Sequence, residues 1–338
     1  MFCAVKNEAR YESARNWGGA LLGQGIIRAL RASRFAAQVV AIDPDPLSAG
    51  LYWADSAHLV PMANAPDYAE RLYEILQAEH PDIVFVGTDV ELGILAHYRL
   101  AWEKELNTQI VVSRSEVIAI ADDKWETYQF LKETGFSYPE SALPGDENRL
   151  IEQVGFPLVV KPRIGTRSVG LHIVNSREDL ARVLTPEAII QQCVATGADE
   201  YTAGSLTFGT CPATIVMRRT LRDGNTYCAF VEDYPELNAT VRDLSNALQA
   251  YGPANFQFRL TPDGEVKVFE INARFSGTTP LRAHAGFNEV EMVIGHVLEG
   301  QPIQQPTVKP LVILRHLSET VVTPEAVKQM GASSGNRT

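Results

Sequence analysis

A two-part architecture, a doubly wound parallel α/β sheet followed by an α+β unit, is predicted by three features of the 338-residue sequence. Residues 18–113 alternate helix-period segments with short apolar runs, the pattern of parallel strands joined by helical crossovers. After residue 115 alternating-apolar segments follow one another closely, as in a largely antiparallel sheet. Asp263-Gly264 lies between two such segments and is a strong hairpin signal. The expected units are a first domain over 1–115, a second over 116–318 with a lid subdomain of about 125–195, and a tail over 319–338.

In the first unit, GGALLGQGIIRALRASRF (18–35) opens with glycines and continues as an amphipathic helix. QVVAID (38–43) reads as a buried strand, ended by Pro44 and Pro46. DYAERLYEILQAEH (67–80) has helical periodicity that Pro81 stops. DIVFVGTD (82–89) is a second strand, ELGILAHYRLAWEKEL (91–106) a helix and QIVVS (109–113) a third strand. Residues 4–17 read as too polar for a strand, so a first strand is expected to be missing or atypical.

In the second unit, residues 116–135 read as one helix that Gly135 caps. PLVVKPRIGTRSVGLHIV (157–174) reads as strand, glycine-containing loop and strand, and AIIQQCV (188–194) as a strand. Strand-like runs follow at 201–209, 213–222 and 226–233, then a helix over 237–252. The hairpin occupies 255–275, a helix 287–300 and a last strand 309–318.

Composition narrows the function. Thirty basic against 41 acidic residues leave a net charge of −11, which disfavours nucleic acid and anionic lipid as partners. No apolar run is long enough for a membrane span, and the N-terminal segment carries no secretory signal, so a cytoplasmic protein is expected. Cysteines 3, 193, 211 and 228 form no Cys-x-x-Cys pair and are read as reduced thiols. The seven histidines show no zinc-binding spacing.

The hairpin carries the most chemistry. A two- or four-residue loop centred on Asp263-Gly264 sets Gln257 opposite Glu270; a three-residue loop would shift that pairing. Strand alternation puts Glu270, Asn272 and Arg274 on one face with Gln257, and Phe269, Ile271 and Ala273 on the other. Three hard oxygen donors suit Mg²⁺, and the neighbouring guanidinium suits a phosphoryl group that the metal also touches. A solvated edge hairpin would instead show mostly Lys, Glu and Thr. Upstream, Lys161 ends an apolar strand and precedes Gly165 and Gly170, in a loop whose backbone N–H groups can cover phosphates. It is no Walker A loop, because no Gly-Lys-Ser/Thr occurs and a strand follows.

Together these segments resemble the ATP-grasp superfamily, in its carbamoyl-phosphate-synthase-like and biotin-carboxylase-like branch, over roughly residues 18–316. The matching pieces are DDKWETYQFLKETGFSYP (122–139), VVKPRIGTRSVG (159–170), QQCVATGADEYT (191–202) and, most specifically, the NFQF…VFEINARFSG hairpin. The resemblance implies that Lys124 and Lys161 hold ATP phosphates, that the backbone of Gln192, Cys193 and Val194 binds adenine, and that Glu200 meets the ribose. It implies two metal ions, Mg²⁺ or Mn²⁺ in its place, one on Gln257 and Glu270 and one on Glu270 and Asn272. Arg274 would contact the γ-phosphate and the acyl phosphate. Two departures stand out: the family usually has an acid where Gln192 stands, and often one where Gln257 stands.

The implied activity is ATP-dependent ligation, in which a small-molecule carboxylate becomes an acyl phosphate and an amine displaces the phosphate. A homodimer is the commonest symmetric assembly for such a chain. The alternative is a nucleotide-binding regulatory or scaffold protein with a degenerate site. A dinucleotide-binding reading of glycines 18, 19, 23 and 25 with Asp43 is disfavoured, because no strand is expected before Gly18 and the spacing is not G-x-G-x-x-G. Asp89 and Glu91, at the carboxyl end of a strand, are candidates to meet the acceptor amine. Arg282 is a candidate clamp for a substrate carboxylate, with a structural ion pair as the equal alternative.

Overall fold

A computed structural model describes residues 2–7, 11–12, 21–165, 169–194 and 199–332. The first domain holds strands β1 (Phe2–Asn7), β2 (Tyr11–Glu12), β3 (Val40–Asp43), β4 (Ser56–Leu59), β5 (Ile83–Val86) and β6 (Gln109–Val111). Their order is β4-β3-β1-β5-β6, with β2 paired to β1 alone. Strand β3 runs parallel to β4 and β5 to β6, but β1 runs antiparallel to both β3 and β5. The sheet is therefore mixed, which corrects the expectation of a parallel sheet, and its first strand is present but atypical in direction. Averaging over 4–17 diluted the apolar Phe2-Cys3-Ala4-Val5 run that forms β1.

Helices cover both faces. Alternation along β5 sends Ile83 and Phe85 to one face, against helix Leu21–Arg31, and Val84 and Val86 to the other, against helices Tyr68–Glu79 and Leu92–Leu106. Gly18 and Gly19 lie outside the described residues. Gly25 is inside the first helix, where a Cβ would approach the Pro280 ring to 3.0 Å. Its use is close packing of this helix on helix Thr279–His284 of the second domain.

The stretch expected as one helix over 116–135 is two, Ser115–Asp122 and Lys124–Thr134. The break falls at Asp123, whose side chain accepts from Trp125 N–H (2.8 Å) and so caps the second helix. Phe130 and Leu131 of that helix pack into the core of the large sheet. A small sheet follows, built from β7 (Ser141–Ala142), β8 (Leu158–Pro162), β9 (His172–Val174) and β10 (Ala188–Gln192) in the order β7-β10-β8-β9.

The large sheet contains β11 (Glu200–Thr207), β12 (Ala213–Arg222), β13 (Asn225–Val231), β14 (Gly252–Leu260), β15 (Val266–Asn272) and β16 (Leu311–Leu314). It is antiparallel throughout, ordered β15-β14-β11-β12-β13-β16. Helix Pro235–Leu248 covers one face through Val241, Leu244 and Leu248. The other face of β14 and β15 looks toward the small sheet and bears the polar row. Among the described residues no helix is long and apolar enough to cross a membrane.

Candidate active site

The β14–β15 hairpin pairs Gln257 with Glu270, as expected, by an unexpected route. Its loop has three residues, Pro262-Asp263-Gly264: Thr261 N–H donates to Glu265 C=O (2.9 Å), and Gly264 takes a positive φ of 88°. Near the loop the register is therefore Leu260 with Val266 and Phe258 with Val268. A bulge then inserts Phe269 and restores Gln257 opposite Glu270 and Asn255 opposite Asn272. The bulge also corrects the face of Phe269. Ile271 and Ala273 are buried in the core as expected, but Phe269 turns to the site, its ring 5.5 Å from Lys161 Nζ.

Along this row the polar groups bind one another. Glu270 Oε1 accepts from Gln257 Nε2 (2.7 Å) and Asn272 Nδ2 (3.1 Å). Asn272 Oδ1 accepts from Arg274 Nη2 (2.8 Å), and Gln257 Oε1 from Arg219 Nη2 (2.5 Å). Arg274 also donates to Asp89 through Nε (2.6 Å) and Nη2 (2.9 Å), so the first domain reaches the row through one carboxylate.

Two cavities meet at this row. The first, about 200 Å³, lies between the small and large sheets. Its wall includes Lys124, Lys161, the Gln191–Val194 segment, Glu200 and Phe269. The second, about 500 Å³, lies between the row and the first domain, with Asp89, Asn272, Arg274 and Arg315 among its walls. Gln257, Glu270 and Arg219 line both.

Lys161 is buried, and burial pushes its ammonium pKa down to about 8; Lys124 pushes the same way, while Glu270 and Glu200 oppose it. Lys124 Nζ donates to the carbonyls of Gly165 (2.9 Å) and Arg163 (3.2 Å), which fastens it to the start of the glycine loop. Arg163 in turn pairs with Asp123 (Nη2–Oδ2 2.5 Å). Thus β8 and the helix beginning at Lys124 are locked together at the mouth of the first cavity. Arg167 and Ser168 of the expected lid lie outside the described residues.

The structure brings the residues nominated for nucleotide and metal to these two cavities: Lys124, Lys161, Gln192, Cys193, Val194 and Glu200 to the first, Asn272 and Arg274 to the second, and Gln257 and Glu270 to their common wall. Glu200 is not free there. It accepts from Arg219 Nη2 (2.6 Å) and Arg259 Nη2 (3.0 Å). Gln192 N–H is bonded to Glu140 C=O (2.7 Å).

Of three other candidates, Glu91 is corrected, Arg282 takes its structural alternative, and Asp43 is set aside in line with the disfavoured dinucleotide reading. Glu91 is fully buried, accepting from Thr88 Oγ1 (2.8 Å) and the Tyr68 hydroxyl, so it cannot meet a substrate. Arg282 is also fully buried, ion-paired with Glu289 (2.8 Å) and bonded to Asn255, which makes it a structural support beneath the row. Asp43, at 2% exposure, accepts from Asp45 N–H (2.9 Å) and offers nothing to a ribose.

Arg219 and Arg315 escaped the sequence reading. The signal for Arg315 was a cation directly after the apolar run LVIL; for Arg219, only its pairing with Glu200 across β11 and β12 marks it.

The row is compatible with a hard divalent cation. Among the described residues no group of three or more His, Cys, Asp or Glu side chains could hold a metal, so a cation here would rest on one carboxylate plus amide oxygens and phosphates. Both amides already point a terminal atom at the same Glu270 oxygen, and turning either by 180° presents its oxygen instead.

A small sheet facing a large antiparallel sheet across a cleft, behind an α/β domain, is the arrangement of the ATP-grasp fold, and an ATP-grasp family model matches the large-sheet part of the chain. Residues 198–320 match the family described as ATP-grasp in the biosynthetic pathway with Ter operon, and residues 24–111 match the PylC-like N-terminal domain. The chain is 24% identical, over 89% of its length, to the carbamoyl phosphate synthase large chain of Mesorhizobium japonicum, and 23% identical over 76% to that of Neisseria meningitidis. It spans about 30% and 25% of those proteins. Among solved structures it resembles the biotin carboxylase domain of Hydrogenobacter thermophilus 2-oxoglutarate carboxylase, determined with MgADP and bicarbonate (TM-score 0.70, 16% identity, 86% of this chain and 71% of that one). It also resembles N5-carboxyaminoimidazole ribonucleotide synthetase of Thermotoga maritima (TM-score 0.67, 22% identity, 90% and 80%).

Proposed function

We propose that this chain is an ATP- and Mg²⁺-dependent ligase that activates a small-molecule carboxylate as an acyl phosphate and passes it to an amine. The observation that carries this reading is the row Gln257, Glu270, Asn272 and Arg274 standing between two cavities. A group moving from a nucleotide in the first cavity to an acceptor in the second must pass that row.

In this reading Lys161 and Lys124 set the phosphates of ATP in the first cavity, beneath the glycine loop. The hinge backbone from Gln192 to Val194 takes the adenine edge, and Glu200 orients the ribose. A carboxylate in the second cavity attacks the γ-phosphorus, the bond to the β-phosphate oxygen breaks and ADP departs. Arg274 lies where charge collects on the transferring phosphoryl group, and Asp89 fixes its direction. The amine then attacks the acyl carbon, phosphate leaves and the nitrogen loses a proton. Mg²⁺ held by Gln257, Glu270 and Asn272 would supply charge neutralisation on the phosphate oxygens. The chain's own contribution is positioning, and no nucleophilic side chain is needed.

The same proposal covers the domain limits given above, a cytoplasmic setting and a homodimer. Glu270→Gln tests it. The change is nearly isosteric yet removes the only carboxylate of the proposed metal set. ADP release with MgATP and a panel of carboxylates and amines should fall by about 100-fold or more, with the unfolding temperature little changed. Wild-type ADP release by the variant at limiting Mg²⁺ would remove the metal assignment and the ligase reading with it.

A further inference from the structure

One cation lining the second cavity has no part in the reaction just described. Arg315 follows β16 at the edge of the large sheet. Its Nη1 donates to Thr226 C=O (3.2 Å) and its Nη2 to Gly277 C=O. A guanidinium has five N–H donors, so three remain for a ligand. No ion pair joins it to any carboxylate among the described residues. Burial pushes its pKa down to about 10, and the charged groups that act on it, Arg28 and Arg219, are both cations and push the same way. Arg315 is half-buried, and a guanidinium partly withdrawn from water without a counter-charge is costly to fold; its usual compensation is an anion.

The rest of the cavity agrees. Its two carboxylates are already engaged: Asp89 holds Arg274, and Glu270 belongs to the polar row. Arg274 commits four of its five N–H donors to Asp89, Asn272 and the Phe275 carbonyl, and in the ligase reading it faces the transferring phosphoryl group. Arg219, also on this wall, is held by Glu200, Gln257 and the Thr226 hydroxyl, so Arg315 is the cation left to meet a second negative charge. Around it the wall carries hydroxyls and amides, as at Thr202, Asn225, Asn255 and Thr278, beside the aliphatic Leu21, Leu22, Val90 and Val169, and no aromatic side chain lines it among the described residues.

We propose that Arg315 is a specificity-determining residue for a small substrate bearing a second acidic group, carboxylate or phosphoryl, beside the carboxylate to be activated. The fork of Arg315 binds that second group, with the Thr226 and Gly277 carbonyls holding the guanidinium in place. The inference rests on the ligase reading for which carboxylate reacts, but binding alone tests it.

Isothermal titration of wild type, Arg315→Gln and Arg315→Lys would use glutarate and 3-phosphoglycerate as two-acid probes, butyrate and propionate as one-acid probes, and MgADP in parallel. The two-acid compounds should bind the wild type about 10-fold or more tightly than the one-acid compounds, the gain expected of a charge-assisted bond. Arg315→Gln should lose that preference, and Arg315→Lys, which keeps the charge without the fork, should lie between. MgADP affinity should stay within about 2-fold in all three proteins, which also certifies that the variants are folded. A stronger effect of the variants on 3-phosphoglycerate assigns the second group as phosphoryl, and on glutarate as carboxylate. Equal binding of one-acid and two-acid probes by the wild type, including none by either, would overturn the inference, as would a preference that survives in Arg315→Gln. Failure of the ligase reading has a different signature: MgADP itself would not bind.

Discussion

Asp89→Asn probes the single carboxylate by which the first domain holds Arg274. The pair is bidentate, at 2.6 and 2.9 Å, and little exposed, at 9% for Arg274 and 24% for Asp89. Asparagine keeps the shape but turns one acceptor into a donor facing a guanidinium N–H. A charge-assisted bond of this kind contributes about 1.5–3 kcal/mol, and a fully buried pair broken on one side costs about 3–5. Partial exposure of Asp89 puts the loss near 2 kcal/mol, or roughly 30-fold in a rate that depends on Arg274. Steady-state ADP release against MgATP concentration should show that drop in kcat, with KM for ATP changed by less than about 3-fold, because Asp89 lines only the second cavity. Urea unfolding of Asp89→Asn, Arg274→Gln and the double variant should give a coupling energy of about 1–3 kcal/mol. Additive stabilities, or a loss confined to KM for ATP, would refute the idea that Asp89 positions Arg274.

Two other predictions concern groups beneath and beside the row. The folded-state pKa of Lys161, about 8 against an ordinary 10.5, means that the unfolded chain binds the extra proton between those values, so stability should rise with pH across that window. The gain should reach at most about 3 kcal/mol and vanish in Lys161→Met; urea midpoints at pH 7.5, 8.5 and 9.5 that do not differ between the two proteins would contradict it. Gly204→Ala would drive a Cβ into the Arg282 guanidinium and to 2.8 Å from Glu289 Oε1, both fully buried. A loss of about 3–5 kcal/mol is expected in thermal unfolding, against almost none for Gly209→Ala, where a Cβ meets nothing within 4 Å.

Much of the site was legible because strand alternation is a local rule. Glu270, Asn272 and Arg274 are two residues apart, and a turn signal six residues before Glu270 marks the hairpin, although the pairing of Gln257 with Glu270 also needs the bulge. Lys161 was legible for a similar reason, as a cation closing an apolar strand before glycines. What was not legible came from distance or from irregularity. Asp89 and Arg274 are 185 residues apart, and nothing near either announces the pair. Arg219 joins Glu200 to Gln257 only because β12 and β14 flank β11. Glu91 looked like a surface ligand, and Arg282 stood undecided between clamp and structural pair, because sequence does not reveal burial. Strand β1 was hidden by the polar residues that follow it.

The bulge at Phe269 explains how one hairpin serves two cavities. Counting from the loop alone, Gln257 would oppose Phe269, and strict alternation after Val268 would send Glu270 into the core with it. The extra residue prevents this. Val268 stays in the core opposite Phe258, Glu270 stays in the row opposite Gln257, and Phe269 between them is free to turn toward Lys161. An apolar ring thereby enters the first cavity one residue before the carboxylate that both cavities share. An alternating strand cannot present two successive side chains to the same side; a bulged one can. The bulge is thus the feature that lets a single strand furnish a flat apolar surface and the carboxylate common to both cavities side by side.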